Sequence, residues 1–479
     1  MGSGRCRLAG TIHRSVGGEG HRPRIGMEKR PTRAYKEPIN NFLNKEIIFK
    51  KEPLLGSFMT SAEDVWRWFG FEKNPYDFHP LGVNKEDREL FVGRDVELPR
   101  LATPIVSEDG GIVVVEGRVG VGKTSFVNAV QYDKWQEKVC LPSFQVFQTQ
   151  RSTDPIGFIL SAFSTCLGSF EQVNPGVVDK NKTLAAGKAM VSQMLNVGWS
   201  FSAGGSLGVF GAQAGAGKTA APSSPLLPAL PQILRTSEKW FQEAKKLGAP
   251  KFVVQVNNLD MLDDDTAVEF LNVTRDYMLS FARMGVWWIL VAKDQFMSVL
   301  ESRAHRVSEV ITGPPVRVGP LSLGEVNQAI GVRQKRYAAG SGEGPVANEV
   351  IHWLYEQSGG EVRAVFNKLT ELVYGYHATV PSAKDIPVKV AKSILIDEAR
   401  RKIEDLDIQD NHLNVLRKSV TSGGLRLSEY NAYGFKSEPA LNYAVQKLCT
   451  LNLLRRTERG KGVMYIPAVD ANLAFPRAE

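Results

Sequence analysis

Between residues 111 and 321 the chain alternates short apolar runs with longer stretches of helical period. The runs GIVVVEG (111–117), LPSFQVFQT (141–149), KFVVQVN (251–257), VWWILVA (286–292) and VRVGPL (316–321) read as strands, and their alternation with helices predicts a parallel α/β sheet. After Leu321 the pattern turns helical through SLGEVNQAIGVRQKRY, VANEVIHWLYEQS and EVRAVFNKLTELVYGY, with the Gly/Ser-rich link AAGSGEGP (338–345) between the first two. From about residue 405 it changes again. NHLNVLRKSV reads as a helix, SEYNAYGF as a short element, and SEPALNYAVQKLCTLNLL as a helix with Ser437 as N-cap and Ala440, Leu441, Ala444, Val445, Leu448 and Leu451 on one face. LLRRTERGKGVMYIPA then alternates on both sides of a glycine turn, as a hairpin does. Three short helices followed by a basic hairpin predict a winged helix. Residues 180–232, rich in Gly, Ala, Ser and Pro, read as an insertion between two core strands, a flexible loop or hairpin.

These patterns divide the chain into a basic head (1–51), an extension leading into the core (52–110), an α/β core (111–320), a helical region (321–400) and a winged helix (405–479). With 479 residues, 43% of them hydrophobic, the chain is long enough for several cores. Its net charge of +8 invites a nucleic-acid partner, yet residues 1–51 carry 12 Lys/Arg against four Glu, which leaves 47 of each sign in the remainder. The head has too few apolar residues to bury a core and is expected to be disordered. It lacks the apolar centre of a secretory signal and the amphipathic pattern of a transit peptide, and Met27 reads as an alternative start. No run reaches the roughly 18 uninterrupted apolar residues of a membrane span, so no membrane partner is expected. Cys6, Cys140, Cys166 and Cys449 stand apart from one another and from any histidine at ligand spacing, which points to a reducing, cytoplasmic setting without a zinc site.

The chemistry begins at GRVGVGKTS, Gly117 to Ser125, a G-x-x-x-x-G-K-[ST] motif set between an apolar strand and a helical run. Gly117, Gly120 and Gly122, with Val119, Val121 and Ser125, would form a loop whose N–H groups converge on phosphate oxygens at a helix N-terminus. Lys123 would bridge the β and γ phosphates and Thr124 would ligate magnesium, so ATP with Mg2+ is the expected cofactor. AGAGKTAA (214–221) is a weak echo: Ala212 occupies the first glycine position and no strand precedes it.

With this loop placed, the chain from about residue 74 to 475 resembles AAA+ ATPases of the origin-recognition and archaeal replication-initiator group, or the related STAND-type signalling ATPases. NPYDFHPL and LFVGRDVEL (90–98) resemble the segment that helps hold adenine, SRAHRV (302–307) the arginine-finger segment, PLSLGEV the start of the lid, and GGEVRAVFNKL (359–369) sensor 2. The resemblance implies a P-loop AAA+ parallel-sheet core with a helical lid and a C-terminal winged helix. It assigns Arg363 to sensor 2, Arg306 (or Arg303) to the finger that enters a neighbouring subunit, and Lys293 and Asp294 to the sensor 1 position. Self-association and an unidentified protein partner are implied with it.

One strand departs from that pattern. KFVVQVNN ends in Asn257 and Asn258, where the family places a magnesium-holding Asp and a water-orienting acid. An amide can accept from a magnesium-bound water but cannot take a proton, so general-base help, typically worth a factor of about 100 to 10,000, is lost. Asp260 resembles the last acid of the related DDLD and DNLD forms and is a candidate for metal and catalysis, or for capping the next helix. Asp263 to Asp265 suit a helix start. Slow or conditional hydrolysis, with ATP acting as a switch, is the resulting expectation. On the 437–451 helix, Asn442, Tyr443, Gln446 and Lys447 lie away from the apolar face, and Arg455, Arg456, Arg459 and Lys461 decorate the hairpin. They suit duplex DNA, bases by the helix and phosphates by the hairpin. A winged helix used for protein contacts is the alternative.

Overall fold

Why β1 (Gly111–Glu116) runs apolar from Ile112 to Val115 becomes clear from its two faces. In the computed structural model, which describes residues 62–145, 147–148, 154–196, 230–340, 344–459 and 462–477, Ile112 and Val114 enter one core and Val113 and Val115 another. A strand covered on both sides needs no polar alternation. The other strands are β2 (Cys140–Leu141), β3 (Phe147–Gln148), β4 (Lys251–Asn257), β5 (Val286–Ala292) and β6 (Val316–Arg317). They lie parallel in the order β2-β4-β5-β1-β6, with β3 also pairing with β4. The run 141–149 is thus broken into two short strands, and 316–321 contributes only its first two residues. Both lie at the ends of the sheet, where a short strand limits the unpaired edge.

One face of the sheet is covered by three helices, Pro155–Val173, Leu230–Lys246 and Asp264–Arg283, and is dense in aromatics: Trp288 stacks on Phe158 at 5.2 Å and Trp240 meets Phe163 edge-on at 5.5 Å. The other is covered by Glu97–Ser107 and Lys123–Gln136. Helix Pro155–Val173 starts where Asp154 Oδ1 accepts from Ile156 N and Gly157 N, both at 3.0 Å, with proline at the first helical position. By length and composition this helix could cross a membrane, but most of it is buried inside the fold.

The segment read as an insertion from residue 180 is helical at its start. Lys182–Asn196 forms an α-helix that places Leu184 and Val191 in the aromatic core, and Leu230 already begins the next helix. Gly187 sits against Trp240, where a Cβ would stand 2.6 Å from Cδ1, so the glycine that suggested a loop serves close helix packing. The weak echo at 214–221 and the basic head lie outside the described residues.

The lid begins at Ser322, which forms a capping box with Glu325 and opens helix Leu323–Tyr337. Helices Asn348–Ser358, Val362–Thr379 and Val388–Glu404 follow. Gly359 and Gly360, at φ 64° and 81°, end the second of these and turn the chain so that the third starts over the P-loop. Beyond it come Asp410–Ser422, a 3-10 element Leu427–Tyr433, helix Glu438–Thr450 and the antiparallel hairpin β7 (Leu454–Arg459) and β8 (Gly462–Pro467), with Leu425 bridging to Tyr465. Ser437 precedes the helix but its side chain makes no capping bond. The final helix, Val469–Ala474, returns to the lid, so that lid and C-terminal elements share one hydrophobic core from Trp66 to Ala474.

Candidate nucleotide site

Three parts of the chain grip the loop 117–124. Gly120 and Gly122 adopt φ of 82° and 93°, open to glycine without strain, and the helix starts at Lys123. Buried Arg94, at 6% exposure, donates from Nη2 to Val121 O at 2.8 Å. Arg363 N donates to Gly120 O at 3.3 Å, and Glu361 lies so close that a Cβ on Gly120 would stand 2.2 Å from Oε1. From the C-terminal hairpin, Thr457 Oγ1 accepts from Arg118 Nη2 at 2.8 Å. Lys123 turns back onto its own loop, donating to Gly117 O at 2.7 Å and Arg118 O at 3.0 Å.

The cleft over this loop brings together Val119, Gly120, Gly122, Lys123, Thr124, Ser125, Asn257, Asn258 and Arg363. Gly117 and Val121 contribute through backbone: Gly117 approaches Val318 O too closely for any side chain, and Val121 is buried beneath the loop. One wall of the cleft comes from the segment NPYDFHPL, and another from Arg333, which sequence reasoning did not single out. Phe78 and His79 stack at 4.9 Å, and Leu81 N donates to Ser125 Oγ at 3.0 Å, docking residues 77–81 onto the P-loop helix. Arg333, 7% exposed, packs over the Phe366 ring and donates from Nη1 to Leu90 O at 3.2 Å and Ala329 O at 3.1 Å. Burial pushes its pKa down from the ordinary arginine value, with Tyr337, Asp77 and Asp87 opposing that fall. The signal for Arg333 was a lone arginine among the apolar positions of the first lid helix.

Asn258 adopts φ 64° and starts the 3-10 turn Leu259–Met261. Asparagine enters this left-handed region more readily than most side chains, which gives its presence a backbone reason. Asn257 is 8% exposed; its Oδ1 accepts from Gln255 Nε2 at 3.0 Å and its Nδ2 faces Thr124 Oγ1 at 3.4 Å. The amide thus turns an N–H toward the threonine hydroxyl, while its oxygen, which accepts from Gln255, keeps a second lone pair. Thr124 would offer its hydroxyl oxygen to a divalent cation beside the phosphates, and Asn257 brings no charge to that place. The Asp260 side chain lies outside the described residues.

Other predicted residues fall elsewhere. Asp263 caps helix Asp264–Arg283, accepting from Thr266 N at 2.9 Å. Lys293 pairs with Asp264, and Arg303 with Asp265 at 2.9 Å. Arg306 is exposed, outside the cleft, on the short helix His305–Ser308. At the C-terminus Tyr443 is 71% exposed and Lys447 is exposed; Gln446 Nε2 donates to Asn442 Oδ1 at 3.2 Å and Tyr465 OH at 3.4 Å. Arg456 is exposed, while Arg455 is ion-paired to Glu361 and so is not a free phosphate contact in this arrangement. The Arg459 side chain and Lys461 lie outside the described residues.

A P-loop between β1 and its helix, on a parallel sheet ordered β2-β4-β5-β1-β6 and followed by a helical unit, defines an α/β P-loop fold. The chain is structurally similar to the ORC1 protein of Aeropyrum pernix, solved in complex with DNA, at 12% identity over 82% of this chain and 94% of that one, with a TM-score of 0.41. The A. pernix ORC2 protein, solved as ADPNP-ADP complexes, gives 13% identity, coverage of 84% and 96%, and a TM-score of 0.45. Domain III of the Thermotoga maritima replication initiation protein DnaA gives 13%, 65% and 95%, with a TM-score of 0.35. No protein-family model and no curated relative matches the chain in sequence.

Proposed function

We propose that the chain is an ATP-responsive switch that binds duplex DNA through a C-terminal winged helix (405–479) and self-associates to recruit or load a protein partner. The observation that carries this reading is the meeting of Lys123, Thr124 and Arg363 in one cleft whose carboxylate positions are filled by Asn257 and Asn258. The P-loop and Arg363 supply charge and donors for phosphates, whereas the two amides supply no base, so turnover is slow or conditional. Arg306, exposed beyond the cleft, is the residue to enter a neighbour's site. Asn442, Tyr443, Gln446, Lys447, Arg456 and Arg459, with Lys461, form the DNA face.

A second reading draws on the ion pair between Arg455 and Glu361, which takes one base out of a small basic patch: a STAND-like ATPase whose C-terminal unit contacts protein. The test is nucleotide binding beside turnover for wild type, Lys123→Ala and Asp260→Ala, with and without duplex DNA. Binding that depends on Lys123, with turnover at background, is the expected result. DNA-stimulated turnover abolished by Asp260→Ala would sink the slow-switch reading.

A further inference from the structure

A charge taken out of water needs an opposite charge or a full set of hydrogen bonds. Buried Arg94 pairs with Glu97 at 3.5 Å, Glu116 with Arg317 at 2.9 Å, Lys368 with Glu371 at 2.7 Å, and Glu361 with Arg455. Arg333, equally buried, has no carboxylate at ion-pair distance among the described residues. Asp77 and Asp87 act on it only from farther away, and each already accepts from a nearer backbone N–H, that of His79 at 3.0 Å and that of Gly82 at 2.6 Å. Its hydrogen bonds are incomplete as well. Nη1 gives its two N–H groups to Leu90 O and Ala329 O, and the three on Nε and Nη2 meet no acceptor among the described residues.

This uncompensated cation lines the cleft over the P-loop. Its Cζ lies 5.1 Å from the centroid of the Phe366 ring, which steadies the guanidinium and offsets only part of its charge. Phe366 follows Arg363 by three residues on helix Val362–Thr379, so the two share a face of that helix and Arg333 is held against the turn that follows Arg363. The Nε–Nη2 edge of a guanidinium is a planar two-donor fork that matches two oxygens of one phosphate. What the surrounding protein withholds from Arg333, an anionic ligand in the cleft would supply.

We propose that Arg333 is a second lid arginine for the phosphate chain of the ligand, beside Arg363; this rests on the reading of the cleft as a nucleotide site. The test is the affinity of the full chain for a fluorescent ATP analogue, measured beside the melting temperature of the nucleotide-free protein. Arg333→Met and Arg333→Gln should each weaken binding at least about tenfold, the scale of one hydrogen bond to a charged group, and Arg333→Lys, which keeps the charge, should recover most of the loss. Because a buried cation without a counter-charge costs the empty fold stability, Arg333→Met should leave the nucleotide-free melting temperature unchanged or raise it. A melting temperature that falls together with the affinity would assign Arg333 to lid packing and overturn the proposal. Affinity kept by Arg333→Gln and lost in Arg333→Lys would overturn it too, since a donor without charge would then suffice, as for a nucleobase. Wild type that fails to bind the analogue, or binding unmoved by Lys123→Ala, strikes instead at the nucleotide-site reading.

Discussion

Arg455, on the first strand of the C-terminal hairpin, is ion-paired with Glu361, whose carboxylate lies against Gly120 of the P-loop. A negative charge there opposes phosphate, and Arg455 offsets it. Removing the arginine should weaken nucleotide binding by about 1 kcal/mol, roughly five- to tenfold, a modest figure because Arg455 is 42% exposed and solvent screens the pair. In the Glu361→Gln background the same substitution should have little effect, since no charge remains to offset. Equal losses from Arg455→Ala in both backgrounds would show that the two residues act independently.

The engagement of Arg455 also sorts the basic residues of the hairpin. If the C-terminal unit binds duplex DNA, Lys447→Ala and Arg456→Ala should each reduce the slope of log affinity against log salt by about one, the signature of one lost phosphate contact. Arg455→Ala should change that slope less. Fluorescence anisotropy of a labelled duplex at several salt concentrations, with the full chain, measures all three. Undetectable duplex binding by wild type at low salt would favour the protein-contact reading.

The sheet and the P-loop were legible because each is written locally. An apolar strand, a glycine loop and a helix are adjacent in sequence, and their physical reasons are adjacent too. The lid start was legible for the same reason, with Ser322 and Glu325 three residues apart. What sequence did not disclose was made by contacts over long separations: Glu361 with Arg455, Arg118 with Thr457, and the chain of amides Gln131, Gln255 and Asn257 that runs from Ser143 to Thr124. Gln255 was the one visible clue, a polar side chain where β4 has no solvent face. Composition misled at 182–196, where Gly and Ala suggested a loop although Leu184, Gly187, Val191 and Met194 recur at helical spacing.

That helix yields its own test. A Cβ on Gly187 would stand 2.6 Å from Trp240 Cδ1 and 3.1 Å from Phe163 Cζ, both in the aromatic core. Gly187→Ala should therefore destabilise the fold by about 1–3 kcal/mol through overpacking, despite alanine's better helix propensity. Denaturant unfolding would register the loss. A neutral or stabilising outcome would mean that the helix does not pack on Trp240 in solution.

Lys368 ties the lid to the last helix. Its side chain is 3% exposed, Nζ donates to Glu371 Oε2 at 2.7 Å, and it pairs with Asp470 of helix Val469–Ala474; Lys402 reaches the same Glu371 at 3.0 Å. Burial alone would raise the Glu371 pKa, but Lys368 and Lys402 outweigh it and hold the carboxyl below its ordinary value. For a depressed carboxyl the sign is fixed: its contribution is present above the unfolded-state pKa, about 4.3, and is lost as pH falls through the lower folded-state value. Glu398, on the neighbouring helix, carries the opposite shift, raised first by burial and then by Glu371, and so lessens the acid loss. Lys368→Met should cost about 3 kcal/mol at neutral pH, because it removes the buried cation that lies between Asp470 and Glu371. Comparing unfolding free energies at pH 7 and pH 4 checks both parts. The penalty of Lys368→Met should shrink at the lower pH as Glu371 protonates, and a penalty independent of pH would assign Lys368 a packing role alone.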